Sequence, residues 1–270
     1  MKTPSWSRAF STLGCVEHSL EDVASLAKRH GLETIELRGL SGSLDLPEVL
    51  QRTFGKPERL VERLGELGIR ICAIDTSLKL IGNTAAERDD FRRYLPWAEA
   101  LGVDLLRVFD GGASFDAAEQ EKALDTLSWW NELRRAEGWR ADMMVETHDA
   151  FVRTEATRRF IAQAPAGTKL LWDTHHTWRL GGEEIEATWA ALRPHVVHIH
   201  VKDSVANPSA ARGYTYVPPG QGEFAMATLR ELLARDGYDG VVSLEWERHW
   251  HPGLTTLDEA LASAAATRWW

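Results

Sequence analysis

Short apolar, β-branched runs alternate with longer segments of helical periodicity along the whole chain. The runs are AFSTLG (9–14), TIELR (34–38), RICAID (70–75), LLRVFD (105–110), MMVET (143–147), LLWDT (170–174), VVHIHV (196–201) and VVSLEW (241–246). Each reads as a strand. Between and after them lie apolar stripes at helical spacing: SLEDVASLAKRHG, PERLVERLGELG, AAERDDFRRYLPWAEALG, SFDAAEQEKALDTLSWWNELRRAEG, RTEATRRFIAQA, EEIEATWAALRPH, FAMATLRELLARDG and TLDEALASAAATR. In the first of these, Ser19 is a candidate N-cap, Asp22 offers a box-like acceptor and Gly31 a stop. Pro96 predicts a kink or break inside the third.

Eight strands, each followed by a helix, predict an α/β fold: a parallel sheet closed into a (β/α)8 TIM barrel, one domain over residues 1–270. A doubly wound open sheet fits less well, because no GxGxxG turn follows any strand. In a barrel, chemistry gathers at the C-terminal ends of the strands. The fifth strand ends in Glu146, with His148 just beyond. The sixth ends in Asp173, followed by His175 and His176. The seventh carries His198 and His200, then Lys202, and the eighth ends in Glu245, followed by Trp246 and Glu247. Residues two apart on a strand share a face, so Glu146 with His148, and His198 with His200 and Lys202, point the same way.

Three carboxylates and an imidazole converging in one barrel mouth make an oxygen-rich donor set that suits a divalent ion. Mn²⁺ fits best, with Mg²⁺, Co²⁺ and Zn²⁺ as alternatives. Unpaired, the carboxylates would repel one another, and one bound cation removes that conflict.

Composition narrows the partners. The formal charge is −9, from 40 acidic and 31 basic side chains, which argues against a nucleic-acid partner. No apolar run approaches the roughly 18–20 residues of a membrane helix. The segment MKTPSWSRAFSTLG lacks the apolar core of a secretory signal, and Cys15 and Cys72 cannot build a disulfide framework, so the expected compartment is cytoplasmic. The 12 tryptophans are either sugar-stacking platforms or core packing. The tail ATRWW is open to burial against a partner subunit, as in a homo-oligomer, or against its own barrel.

At these residues the chain resembles the xylose-isomerase-like TIM-barrel superfamily, which includes sugar (phosphate) isomerases and epimerases, inosose dehydratases, hydroxypyruvate isomerases and endonuclease IV. The resemblance runs from FSTLGC and SLEDVASLAKRHGLETIELRG through LLRVFDGG, the Glu of VETHD and the DxxH of Asp173–His176, to HVKDS, PPGQGEF and GYDGVVSLEWE. It implies four metal ligands: Glu146, Asp173, His200 and Glu245. It also implies that Glu146 and Glu245 double as an acid/base pair. His176 matches a position that contacts substrate or supports a ligand, and His148 and Lys202 are further substrate-contact candidates. His198 reads as a buried, hydrogen-bonded strand residue and His175 as structural. Endonuclease IV needs extra histidines after its second and third strands. Here those ends read IELRG and AIDTS, which argues against a three-zinc DNA-repair site. The HxKD form lies closer to the inosose-dehydratase and sugar-isomerase branches than to the free-ketose epimerases, which carry an arginine in a different motif there.

The implied reaction is isomerisation or epimerisation of a sugar or polyol-derived ketose, by proton abstraction beside a carbonyl through a metal-stabilised enediolate. A dehydratase or other lyase acting on a keto-sugar or keto-inositol is the alternative, since elimination begins with the same abstraction. Glu36, Arg38 and Arg107, at the second and fourth strand ends, read as contacts to substrate hydroxyls or a phosphate, or as an ion pair at the rim. With no Gly-rich phosphate cradle in the sequence, a small non-phosphorylated polyol is favoured. Trp246, Trp250 and His251 are candidate pocket walls, and the segment 204–222 is a candidate lid.

Overall fold

A computed structural model of the protein describes residues 5–270. The reading of the N-terminus as lacking a secretory signal rests partly on residues 1–4, which lie outside the described residues.

The chain runs β1 (Ser7–Phe10), α1 (Leu20–Arg29), β2 (Thr34–Leu37), α2 (Leu46–Phe54), α3 (Pro57–Leu67), β3 (Arg70–Ile81), α4 (Ala85–Arg92), α5 (Leu95–Leu101), β4 (Leu105–Gly111) and α6 (Ala117–Glu137). It continues with β5 (Asp142–Glu146), α7 (Thr154–Ile161), β6 (Lys169–Asp173), α8 (Ile185–Leu192), β7 (Val196–Val201), β8 (Ser204–Ala206), β9 (Tyr214–Tyr216), α9 (Met226–Asp236), β10 (Val241–Leu244) and α10 (Leu257–Ala266). Eight strands form one parallel sheet in the order β1-β10-β7-β6-β5-β4-β3-β2. The ends meet at a parallel bridge between Ser11 and Glu36, which brings β1 beside β2 and makes a nearly closed (β/α)8 barrel. β8 and β9 are the exception: they pair antiparallel as a hairpin on the C-terminal rim.

Local signals place the helices. Ser19 and Asp22 form a reciprocal capping box at the start of α1, as the sequence predicts, and Thr84/Glu87 and Thr256/Glu259 do the same for α4 and α10. The segment holding Pro96 breaks into α4 and α5, with the proline in the first turn of α5, where its missing N–H costs nothing. Several boundaries differ from expectation; β10, for instance, ends at Leu244 rather than Trp246. β1 stops at Phe10, because Ser11 turns the chain by accepting the Leu13 N–H. β3 runs on to Ile81, beyond a register shift after Asp75. α2 is a helix that the strand-and-helix pattern did not anticipate.

The apolar outer face of the strands packs on the helices, and the tryptophans serve mainly there. Trp172 stacks on Trp189 at 5.8 Å, and the Trp130 indole N–H donates to Asp142. A separate inner cluster, Ala73, Met144 and Leu171, fills the barrel interior. Met144 and Leu171 sit two residues before Glu146 and Asp173, so on the shared inward face they form the floor beneath the strand-end carboxylates. In the tail, Trp269 is buried and packs on Phe224, so this chain covers its own tryptophan. No helix is long and apolar enough to cross a membrane among the described residues.

Candidate active site in the barrel mouth

β5 and β6 end on Glu146 and Asp173, β7 carries His200, and Glu245 follows β10 with its backbone N–H held by the Val201 carbonyl. The four predicted ligand residues therefore converge: one ligand atom from each lies within 4.8 Å of every other. All four are buried. Glu146 Oε2, Asp173 Oδ2 and His200 Nδ1 make no well-formed hydrogen bond, although Arg107 Nε lies 3.3 Å from Glu146 Oε2 and Lys202 Nζ 2.8 Å from Asp173 Oδ2.

His200 is aimed from behind. Its Nε2 lies 2.9 Å from Glu36 Oε1, while its Nδ1 faces Glu146 at 3.5 Å and Glu245 at 3.3 Å. Glu36 Oε2 also lies 2.5 Å from His198 Nε2; His198 is buried as expected, but neither of its ring nitrogens makes the well-formed hydrogen bond expected of it. Burial works against charge on His200, but Glu245 and Glu36 hold it well above the ordinary histidine range. Burial would raise Glu245, yet His200 and Lys202 keep it well below the usual carboxylate range. For Asp173 burial wins over Lys202 and pushes the carboxyl up to about 6.

A cavity of about 260 Å³ opens above this cluster, lined among others by Arg38, Arg107, Glu146, His148, His176 and Glu245. Arg107 lies 3.3 Å from Glu146 and 3.5 Å from Asp75, so it is both a rim ion pair and a cavity wall. Trp250 and His251 close one side, and Arg212 reaches in from the β8–β9 hairpin. Leu13 and Phe109 also line the cavity and were not foreseen. The signal for Phe109 was available, since it lies two residues beyond Arg107 on the same strand face.

Three candidate substrate contacts are placed elsewhere. Glu36 is fully buried beneath His200 because it stands one layer down the strand. Arg38, two residues on, reaches the cavity instead. Lys202 shares His200's face, but its stem folds inward and its Nζ sits among Glu245, Glu247 at 2.6 Å and Asp173 at 2.8 Å. Trp246 alternates away from Glu245 and Glu247 into the core, its indole N–H donating to the Thr255 carbonyl. A methyl on Gly14 would lie 2.9 Å from the Trp246 Cβ and 3.2 Å from its backbone oxygen, so that glycine allows the two chain segments to approach closely.

His176 caps the cluster with its Nδ1 3.2 Å from Asp173, at the start of a π-helical turn over His176–Leu180. His175 turns the other way and bonds Ser204 Oγ at 2.8 Å, a structural role as expected. The hairpin is fastened at its base by Asp203, whose carboxylate accepts the N–H groups of Ser204, Gly220, Gly222 and Phe224. A Cβ on Gly222 would fall 2.1 Å from Asp203 Oδ1, so only glycine allows this approach.

His148 carries a testable charge. Burial opposes protonation, but Asp149, 3.1 Å from Nδ1, and Glu146 raise it to about 9. A histidine whose folded value lies above its unfolded one stabilises fully below about pH 6.5, and loses that contribution as pH rises through about 9. The side chain is 37% exposed, so screening keeps the effect small. Denaturant unfolding at pH 6 and pH 9.5 is expected to show a decline in the wild type that His148→Asn lacks. Equal slopes in both proteins would contradict it.

Residues 24–269 match the family described as xylose isomerase-like TIM barrel. The chain belongs to that family. Among the relatives of this xylose isomerase-like barrel is a putative hydroxypyruvate isomerase of Streptomyces coelicolor, 28% identical over 190 residues. That match spans 64% of this chain and 63% of the relative, less than two thirds of its length. Two solved structures share the fold. The probable 3-DHS dehydratase AsbF of Bacillus anthracis, involved in petrobactin synthesis, has a TM-score of 0.76 at 20% identity, covering 97% of this chain and 99% of that one. The IOLI protein with a bound zinc atom has a TM-score of 0.76 at 19% identity, covering 97% and 96%.

Proposed function

We propose that this barrel is a divalent-metal-dependent isomerase or epimerase that moves a proton beside a carbonyl of a small polyhydroxylated substrate. The observation that carries this reading is the convergence of Glu146, Asp173, His200 and Glu245, each with a ligand atom within 4.8 Å of the others. Three carboxylates gathered this closely repel one another, and the donor set, three carboxylates and one imidazole, suits a divalent cation. Glu146, Asp173, His200 and Glu245 would hold it, and Glu36 supports the fit by engaging His200 Nε2 and leaving Nδ1 toward the site. A bound divalent ion would polarise the substrate carbonyl and stabilise the enediolate charge.

The chain's own residues do the rest. Glu146 and Glu245 come from strands on different sides of His200 and both line the cavity, so they are placed to flank a substrate carbon. In isomerisation one carboxylate takes the proton from one carbon and, now a carboxylic acid, returns it on the same face to the neighbouring carbon. In epimerisation one carboxylate takes the proton and the other, having picked up a proton from solvent, delivers it to the opposite face of the same carbon. Arg107 fixes Glu146, and His176 and His148 offer N–H groups to substrate oxygens. Phe109, Trp250 and the hairpin limit water at the reacting carbon.

Elimination is the second reading, favoured by the fold shared with the dehydratase AsbF. There the departing hydroxyl needs a proton, and His176, which lines the cavity beside Asp173, is the candidate donor. Product mass separates the two: an isomer keeps it, and a dehydration product loses one water.

The deciding experiment is elemental analysis of protein purified without chelator. About one Mn, Mg, Co or Zn per chain is expected, lost in Asp173→Ala. No binding even in excess Mn²⁺ would end the metal reading, and about three zinc ions would point to the endonuclease branch instead.

A further inference from the structure

We propose that the substrate is a carboxylic acid and that Arg38, with Arg212, is the receptor for its carboxylate; this rests on the reading of the cavity as the active site. It departs from the neutral polyol that the sequence favours.

Arg38 follows β2 and is held tightly. Its backbone N–H donates to Thr12 Oγ1 at 2.9 Å, and its Nη2 donates to Ser77 Oγ at 3.0 Å. The residue is 4% exposed and lines the cavity, and its Nη1 is buried with no partner. Among the described residues, no carboxylate lies within ion-pair distance of this guanidinium. Its neighbour Arg107, by contrast, is matched by Asp75 and Glu146. The other cavity carboxylates are engaged as well: Glu245 and Glu247 both contact Lys202. Arg38 is therefore a buried cation left over after every carboxylate in the mouth has a cationic partner. Burial and the adjacent Arg107 charge hold it below the ordinary arginine range, which is the electrostatic cost of that position.

A buried unpaired charge is expensive, and a fold retains it where a ligand completes it. A hydroxyl can accept one hydrogen bond from Arg38 but cannot offset the charge. A carboxylate does both, because its two oxygens match the planar guanidinium fork. Arg212 supplies a second cation from the hairpin side of the same cavity and forms no ion pair among the described residues. The two guanidiniums belong to different elements, so an acid bound between them also ties the hairpin to the barrel rim. At about 260 Å³ the cavity takes a small acid rather than an extended one.

The test is calorimetric titration of the full chain, with Mn²⁺ and again with EDTA, using D-glycerate, glycerol and inorganic phosphate as probes. D-Glycerate is expected to bind about tenfold or more tightly than glycerol, and Arg38→Gln to lose about tenfold of that affinity. Mn²⁺ affinity and melting temperature should stay at the wild-type level in this variant. Arg38→Lys should fall between, keeping the charge without the fork. Equal affinity for D-glycerate and glycerol overturns the inference. So does a lowered melting temperature in Arg38→Gln with acid selectivity intact, the pattern of a merely structural arginine. Phosphate binding tighter than D-glycerate with the same Arg38 dependence replaces the acid by a phosphate ester and also overturns it. If Mn²⁺ fails to bind the wild type while Arg38-dependent acid binding persists, the metal reading falls and this one stands. Normal Mn²⁺ binding without acid selectivity gives the reverse.

Discussion

Glu146→Gln and Glu245→Gln are each expected to slow proton exchange at the substrate carbon by about 10²–10⁴-fold, the usual contribution of a positioned acid or base. The amide keeps the shape and one acceptor oxygen of each side chain but cannot take a proton. The readout is deuterium incorporation from D₂O beside the carbonyl, followed by NMR over a panel of small keto and hydroxy acids. Folding should survive, because each position keeps neighbours that satisfy it: Arg107 and His200 around Glu146, Lys202 and His200 around Glu245. Because both residues also belong to the proposed ligand set, metal content of the two variants must be measured alongside. Exchange lost with the metal retained isolates the acid/base role. Undiminished exchange in both variants would remove these carboxylates from the mechanism.

The largest stability effect is expected at Lys202. Its Nζ is fully buried and touches Asp173, Glu245 and Glu247. Truncation to methionine keeps the stem's packing and deletes the charge, leaving three carboxylates close together in a dry site. Breaking a buried pair by removing one partner costs about 3–5 kcal/mol. Lys202→Met is therefore expected to melt well below the wild type in EDTA. Mn²⁺ should restore part of the loss, because a cation held by Asp173 and Glu245 supplies the missing positive charge. A variant as stable as the wild type in EDTA would show that the lysine's charge is not what balances the cluster. A strong loss that Mn²⁺ cannot touch would separate the lysine from the metal site.

Much of this was legible in the amino-acid order. Period-2 and period-3.6 patterns distinguish all eight barrel strands from the helices, and parity along β5, β6, β7 and β10 brings four carboxylate and imidazole side chains to one rim. What parity could not supply was height. Glu36 and Arg38 share a face, yet one lies beneath His200 and the other at the cavity, because they stand one layer apart along β2 and its continuation. Side-chain reach was equally hidden: Lys202 has the right parity to meet substrate, but three carboxylates draw its stem inward. Trp246 was misplaced for a plainer reason. It sits between Glu245 and Glu247, so alternation alone sends it outward from the barrel. The extension of β3 was readable in the alternation of SLKLI after Asp75, whereas the register shift that permits it was not.

The Asp203 carboxylate gives the excursion between β7 and α9 a property that a plain loop lacks. It gathers N–H groups from both ends of that excursion, just after β7 and just before α9, so the barrel experiences a closed ring whatever lies between. The entropy of closing the segment is met at its base rather than at its tip. The stretch from Asn207 to Gly213, which includes Arg212, can then change length and sequence without disturbing the strands below. In this chain the hairpin is thus mechanically separable from the barrel, and Asp203 with Gly222 is the joint that carries it.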